Sequence, residues 1–355
     1  MRSLRLDLGE RSYSIHIGRD LSTLLDLELK GERRVVALVD AHLQVVQAER
    51  LDDYLGDIPR LIVPRGEGSK TLSHLENFAN ELLALGMGRD GLLVALGGGV
   101  TGDLCGTLAA SYFRGIPFIQ IPTTLLAQVD SSVGGKVAVN LQGAKNAMGY
   151  FHQPKAVIAD LAFLDTLEIR EKRAGLAELI KMAAIADESL LDKLETHLKA
   201  LLASNSAELE AAVERSCELK AKVVEQDERE SGLREILNFG HTLGHAVESS
   251  GLDPAWLHGE CVSLGMVAAL CLGELLGVGQ AGMRDRLESL LSAADLSVRL
   301  PEGLAPARIL EAMGHDKKAR EGKSRWVLLE NWAQPRWGVD VPEEALLQVL
   351  EQLRP

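Results

Sequence analysis

The run GLLVALGGGVTGDLCG, residues 91–106, decides the fold. It opens on an uninterrupted apolar stretch, as a strand buried on both faces does, passes through Gly97, Gly98 and Gly99, and continues with helical character. Similar short runs, RVVALVD (34–40), RLIVP (60–64), FIQIP (118–122) and AVIAD (156–160), lie on either side. Between them HLQVVQAERLDDYL and TLSHLENFANELLALG space their apolar residues as helices do, the second ending on Gly86. Strands alternating with helices predict a parallel sheet covered on both faces, a Rossmann-like, doubly wound α/β domain over residues 1–165.

From about residue 166 to 355 the periodicity is helical almost throughout, so a mainly α-helical second domain is expected. SRWVLLEN (324–331) is the one strand-like run there, and the charged HDKKAREGK before it reads as a solvated loop. No Pro/Gly/Ser linker parts the halves, which predicts a functional site in a cleft between the two domains.

The 355 residues are 46% hydrophobic and 25% charged, an ordinary globular composition that excludes disordered and fibrous classes. Thirty-eight basic against 51 acidic residues give −13, which opposes binding to a polyphosphate backbone. An anionic metabolite would need cations concentrated in one pocket. Four scattered cysteines form no CxxC pair, and MRSLRLDLGERSY lacks the apolar core of a signal peptide. No window of about 18 uncharged apolar residues occurs, so a cytoplasmic protein without a membrane or nucleic-acid partner is expected.

Four groups of residues carry chemistry. The glycine turn 97–99 reads either as tight helix–strand packing or as a cradle where backbone N–H groups and the helix dipole meet a pyrophosphate. In the segment 121–154, Thr123, Thr124, Asp130 and Ser131 can bond ribose or phosphate oxygens, with Gly134-Gly135 before Lys136 and Lys145 further on. His241 and His245 share a helix face, His258 follows, and Glu178 sits on an Ala/Leu/Ile-rich helix with Lys181 one turn on. Imidazoles with a carboxylate are the donor set of a catalytic zinc site, and the helical spacing alone pairs His241 with His245. Arg114, Lys220, Lys222, Arg234, Lys317 and Lys318 are the candidate cations, each of which taken singly reads first as a solvated surface group. Cys105 and Cys261 lack a base and an orienting group, and are assigned to packing.

From about residue 10 onward the chain resembles the 3-dehydroquinate synthase family of sugar-phosphate cyclases. The resemblance rests on GEGSK (66–70), GGGVTGD (97–103), PTTLLAQVDSSVGGKVAVN (122–140), AGLAELIK (174–181), LNFGHTLGHAVE (237–248) and LHGECVSLGMV (257–267). It implies NAD bound by Glu67, Lys70, Gly98, Gly99, Val100, Thr101, Gly102, Asp103, Thr123, Thr124, Asp130, Ser131, Lys136, Lys145 and the run Phe163, Leu164, Asp165, Thr166. It implies a divalent metal, zinc or else cobalt, on Glu178, His241 and His258, which moves His245 from ligand to proton relay. Arg114, Lys145, Asn146, Lys181, Lys220, Arg234, Asn238 and Lys317 would grip an anionic sugar-phosphate, with Lys318 the alternative to Lys317.

The reaction so implied converts 3-deoxy-D-arabino-heptulosonate 7-phosphate to 3-dehydroquinate and phosphate. Its stages are transient oxidation by NAD, phosphate elimination, re-reduction, ring opening and aldol closure, in a homodimer. Two other readings share much of this residue set: another sugar-phosphate cyclase, and a metal-dependent polyol or glycerol-phosphate dehydrogenase. A non-enzymatic NAD sensor is a third. The resemblance predicts a locally positive pocket inside an acidic protein.

Overall fold

In the computed structural model the described residues are 1–31, 34–142, 144–203, 205–251, 256–319 and 325–355, without the side chains of 315–319. The chain forms two compact units, Met1–Glu168 with Ser204–Glu225, and Ile169–Ala203 with Gln226–Pro355. A single division near residue 165 therefore misses one segment, the helix Ala207–Gln226, most of which belongs to the first unit. Its side chains meet partners there: Cys217 donates to the carbonyl of Gln128, and Lys220 to Asp130.

The first unit holds β1 (Arg2–Leu6), β2 (Tyr13–Gly18), β3 (Arg34–Asp40), β4 (Arg60–Val63), β5 (Gly91–Gly97), β6 (Phe118–Pro122), β7 (Lys136–Leu141), β8 (Ala144–Phe151) and β9 (Ala156–Asp160). Seven of these make one sheet in the order β1-β2-β9-β6-β5-β3-β4, parallel except for the β1–β2 pair, and β7–β8 form a separate antiparallel hairpin. All five expected strands are present. Their uninterrupted apolar character follows from a two-sided core. Val36, Leu38, Leu93 and Ala95 pack on one face with Phe78, Leu82 and Leu104. The alternate residues Ala37, Val39, Leu92, Val94 and Leu96 pack on the other with Leu25, Leu51, Tyr54 and Leu55. After β4 the chain returns to the opposite side of β3 to form β5, so the winding reverses between β3 and β5. In doubly wound sheets ligands bind beside the carboxyl ends of the strands at such a reversal. Here those ends are Asp40 and Gly97.

The second unit is mainly helical, as expected, with long helices Ile169–Ala186 and His258–Leu275. The latter is long and apolar enough to cross a membrane by composition, yet 78% of it is buried within the fold. It serves as a core helix. The expected strand is β10 (Arg325–Asn331), and it pairs with β11 (Gln334–Asp340), whose polar QPRWGVD concealed it. The HDKKAREGK loop is corrected in part: residues 315–319 end the helix Pro306–Ala319, and 320–323 lie outside the described residues. All four cysteines are free and buried.

Candidate active site

In the second unit, three glycines let helices approach until main chains touch. An alanine Cβ at Gly259 would stand 2.0 Å from the carbonyl oxygen of Ala174, and one at Gly265 would stand 1.8 Å from that of Gly240. One at Gly244 would lie 3.2 Å from the oxygen of Cys261. The helix His258–Leu275 is thereby drawn against both Ile169–Ala186 and His241–Glu248. Glu260 fixes its start, accepting the Leu257 N–H at 2.7 Å and both ends of the Arg170 guanidinium, each at 2.7 Å.

This packing brings Glu178, His241 and His258 together, with one ligand atom from each within 4.8 Å of the others. Oε1 of Glu178 is 3.7 Å from His241 Nε2 and 3.5 Å from His258 Nε2. Donors about 2 Å from a tetrahedral zinc lie roughly 3.3 Å apart, so the spacing fits a divalent ion. The carboxylate is almost wholly buried, and neither oxygen has a hydrogen-bond donor in good geometry among the described residues. The Phe239 carbonyl lies 3.2 Å from His241 Nδ1, which leaves Nε2 as the ligand atom. The donor set is suited to zinc or cobalt.

Charge surrounds this pocket unevenly. Burial alone would raise the Glu178 carboxyl, but the Lys181 ammonium at 2.6 Å and the two imidazoles hold it well below the usual carboxylate range. Burial and Lys181 together push His241 well below its ordinary value, favouring the neutral, ligating form. Burial would also lower His258, yet Glu178 and Glu248 outweigh it and hold the imidazole up at about 10. Oε2 of Glu248 lies 3.5 Å from His258 Nδ1, on the opposite ring edge from Glu178. Sequence reasoning missed Glu248, although it stands three residues after His245 on the same helix. His245 is near, its ring centroid 5.2 Å from that of His241 and 5.9 Å from that of His258. His245, Glu248 and His258 form a second close group sharing one histidine with the first.

Other second-unit residues are ordered by carboxylates. Lys181, expected to touch substrate, is buried against Glu178. Asp227 accepts the N–H groups of Ser231, Gly232 and Arg234, folding the loop that carries Arg234. The buried Arg234 side chain donates to the Glu228 carbonyl, and Asn238 donates to Glu230 at 2.9 Å. Lys317 and Lys318 fall in the helix Pro306–Ala319, with side chains outside the described residues.

In the first unit the glycine turn packs tightly and also sets a helix start at the end of a strand. Cβ atoms at Gly97, Gly98 and Gly99 would lie 2.5 Å from Thr101, 3.0 Å from Thr124 and 3.1 Å from Ser131, so tight packing already requires glycine. The helix Gly99–Ser111 then begins at the end of β5 and leaves the first N–H groups, from Gly99 and Val100 onward, outside its own ladder. The amides left outside the ladder and the helix dipole suit a dinucleotide phosphate. Thr101 and Gly102 are buried, and Thr123 donates its N–H to Gly97. Asp40, which sequence reasoning also passed over, ends the neighbouring strand β3 and accepts the His42 N–H at 2.8 Å. Its signal was positional, an acid at the end of an apolar strand beside the glycine strand.

Lys70 is the polar hub. Its buried ammonium donates to Asp103 at 2.7 Å and Asn146 at 2.6 Å, with Glu67 at 3.6 Å. Burial would lower Lys70, but Asp103 and Glu67 hold it above its ordinary value, while burial raises Asp103 against the pull of Lys70. Asn146, expected on the substrate, is thus bonded to Lys70, expected on the nucleotide. A turn of π-helix, Ala127–Ser131, carries Asp130 and Ser131, and the helix Ala207–Gln226 meets its carbonyls with Ser216, Cys217 and Lys220.

In the run 163–166, Phe163 and Leu164 are core side chains, Phe163 against Tyr54. Gln47 donates to the Phe163 carbonyl and Thr166 hydroxyl, and Arg19 pairs with Asp165. Lys136 and Lys145 are exposed on the hairpin. Arg114 is exposed, with φ of 71°, beyond the far end of the helix that starts at the glycine turn. That helix is about 20 Å long, so Arg114 is not gathered with the phosphate cradle of its own unit.

Comparison with known proteins covers both the glycine turn and the Glu178, His241 and His258 group. Models described as 3-dehydroquinate synthase N-terminal and C-terminal match residues 60–174 and 175–319. A 3-dehydroquinate synthase of Desulforamulus reducens is 43% identical over 359 residues, covering 99% of this chain and 100% of its own. A 2-epi-5-epi-valiolone synthase from Streptomyces hygroscopicus subsp. jinggangensis 5008, solved with NAD+ and Zn2+ bound, superposes with TM-score 0.89 at 27% identity, over 98% of each chain. A 2-deoxy-scyllo-inosose synthase complexed with carbaglucose-6-phosphate, NAD+ and Co2+ gives 0.88 at 26% identity, over 99% of this chain and 100% of its own. With matches along nearly its whole length and the site's residues in place, the chain belongs to the 3-dehydroquinate synthase family.

Proposed function

We propose that this protein converts 3-deoxy-D-arabino-heptulosonate 7-phosphate to 3-dehydroquinate and phosphate, with NAD+ and one divalent ion, zinc in the first instance, as resident cofactors. The observation that carries the reading is the convergence of Glu178, His241 and His258 in a chain matched over nearly its full length by 3-dehydroquinate synthases. Glu178, His241 and His258 would hold the ion, and the amides at Gly98–Val100 with Lys70, Asp103 and Thr124 would hold the dinucleotide. When bound, NAD+ supplies a hydride acceptor that is restored within each turnover, and the ion supplies Lewis-acid polarisation of substrate hydroxyls.

The chain's own residues do the rest by position and charge. Lys145, Lys220 and Arg234 place cations for the phosphate and carboxylate, and Asn238 offers an amide to a hydroxyl. His245 is exposed beside the metal ligands without being needed among them, which suits a residue that accepts and returns a substrate proton. Lys181 keeps Glu178 ionised, so the ligand set stays anionic. The substrate's own phosphate can serve as the base in its elimination once Lys and Arg side chains hold it. The same cations distinguish this reading from other cyclases, whose substrates lack the carboxylate.

The partners are a small anionic sugar-phosphate and a second copy of the chain, with neither nucleic acid nor membrane, in the cytoplasm. The exposed strand β8, with Met148, Tyr150 and Phe151 each at least 40% exposed, supports self-association. Incubating the metal-loaded protein with the heptulosonate phosphate and catalytic NAD+ should release phosphate and 3-dehydroquinate in equal amounts. Stoichiometric accumulation of NADH, or release of neither product, would overturn the assignment in favour of a dehydrogenase or a sensor.

A further inference from the structure

The hairpin β7–β8 is regular up to Val139↔Met148 and resumes at Leu141↔Ala144, so Asn140 alone stands opposite Lys145, Asn146 and Ala147. Such a bulge re-aims side chains, and it carries two of the residues implicated in cofactor and substrate binding. Asn146 is left-handed, with φ of 50°. Its N–H is taken by Oδ1 of Asn140 at 2.8 Å, while Nδ2 of Asn140 donates to Glu67 Oε1 at 2.8 Å. The main-chain N–H of Asn140 donates to the carbonyl of Lys70, also at 2.8 Å. Lys70 closes the ring through the side chain of Asn146.

We propose that Asn140 is a positioning residue: it fixes the bulge bearing Lys145 and Asn146 and locks that bulge to the Glu67–Lys70 turn, so that the cofactor meets both in one arrangement. The proposal rests on the reading that Glu67, Lys70 and Asp103 serve NAD+. An amide is required because one end must accept and the other donate. Aspartate keeps the acceptor for Asn146 but sets a second anion against Glu67.

The test is calorimetric titration of the metal-loaded protein with NAD+. Asn140→Ala should raise the dissociation constant at least tenfold, with metal stoichiometry and melting temperature close to wild type. Asn140→Asp should bind NAD+ as poorly, and adding Glu67→Gln, which turns the acceptor into a donor, should bring binding back to that of Glu67→Gln alone. Absence of NAD+ binding by the wild type would overturn the cofactor reading itself. Wild-type affinity in Asn140→Ala, or no recovery in the swapped pair, would overturn the role of Asn140 while leaving the cofactor reading intact.

Discussion

The ammonium of Lys220 lies 2.6 Å from both the main-chain oxygen and the carboxylate Oδ1 of Asp130. Lys220 is largely buried, so removing either partner leaves a charge without its counterion. Lys220→Met is expected to cost about 3 kcal/mol of stability. In a double-mutant cycle with Asp130→Asn, read by urea unfolding, the coupling should be about 1–3 kcal/mol. Simple additivity would mean that the pair is formed too weakly to hold the turn.

Metal binding should separate the three histidines. His258→Ala is expected to abolish tight binding of Zn2+, whereas His245→Ala retains the ion and loses turnover, as measured by metal analysis after dialysis and by phosphate release. Glu248→Gln should weaken the ion by roughly 10- to 100-fold, because it orients a ligand without being one. A protein that kept zinc without His258 but lost it without His245 would reverse the ligand assignment.

The close helix crossing at Gly259 makes a steric prediction. Gly259→Ala forces a carbon into the Ala174 carbonyl, with an expected cost of about 1–3 kcal/mol. The helices must part, and because His258 precedes Gly259 the variant should also bind metal more weakly than a variant equally destabilised elsewhere. Equal zinc affinity at equal stability would argue that the triad tolerates the shift.

Acid sensitivity should reside partly in Asp227. Burial would raise its carboxyl, but the N–H groups of Ser231, Arg234 and Gly232 prevail and hold it at about 2, against an ordinary 3.8. The depressed value means the contribution is complete above about pH 4 and is lost as pH falls through 2. Asp227→Asn should therefore melt lower than wild type at pH 7, by about 1–2 kcal/mol of lost hydrogen bonding, with the gap closing below pH 3. A gap that stayed constant with pH would assign the effect to something other than ionisation.

Much of the fold was legible because β3, β5, β6 and β9 are covered on both faces and, like the edge strand β4, are almost all apolar. Strands β1 and β2 were not, since Leu4, Leu6, Ile15 and Ile17 alternate with Arg5, Ser14 and His16 in a charged stretch. Strand β8 has every side chain exposed, so no burial pattern could mark it. Glu178 and His258 were found by composition, but helical spacing favoured His245 over His258 because a shared face says nothing about which ring atom points where. Asp40, Asn140 and Glu248 depend on partners supplied by other segments. Asn140 bonds Glu67, 73 positions away, a relation that only the folded chain creates.

The helix Ala207–Gln226 has a consequence for how the protein is made. The chain leaves the first unit after Glu168, comes back for residues 204–225 and leaves again. On a ribosome, the turn bearing Asp130 must wait for Ser216, Cys217 and Lys220, by which time Glu178 has already emerged. Glu178 in turn waits for His241 and His258. Neither unit is a contiguous stretch of the gene, so a truncation at residue 168 yields a sheet with its Asp130 turn uncovered. Completion of the nucleotide half and of the metal half is therefore interleaved in time, and an exchange of one half between relatives would have to splice at three points.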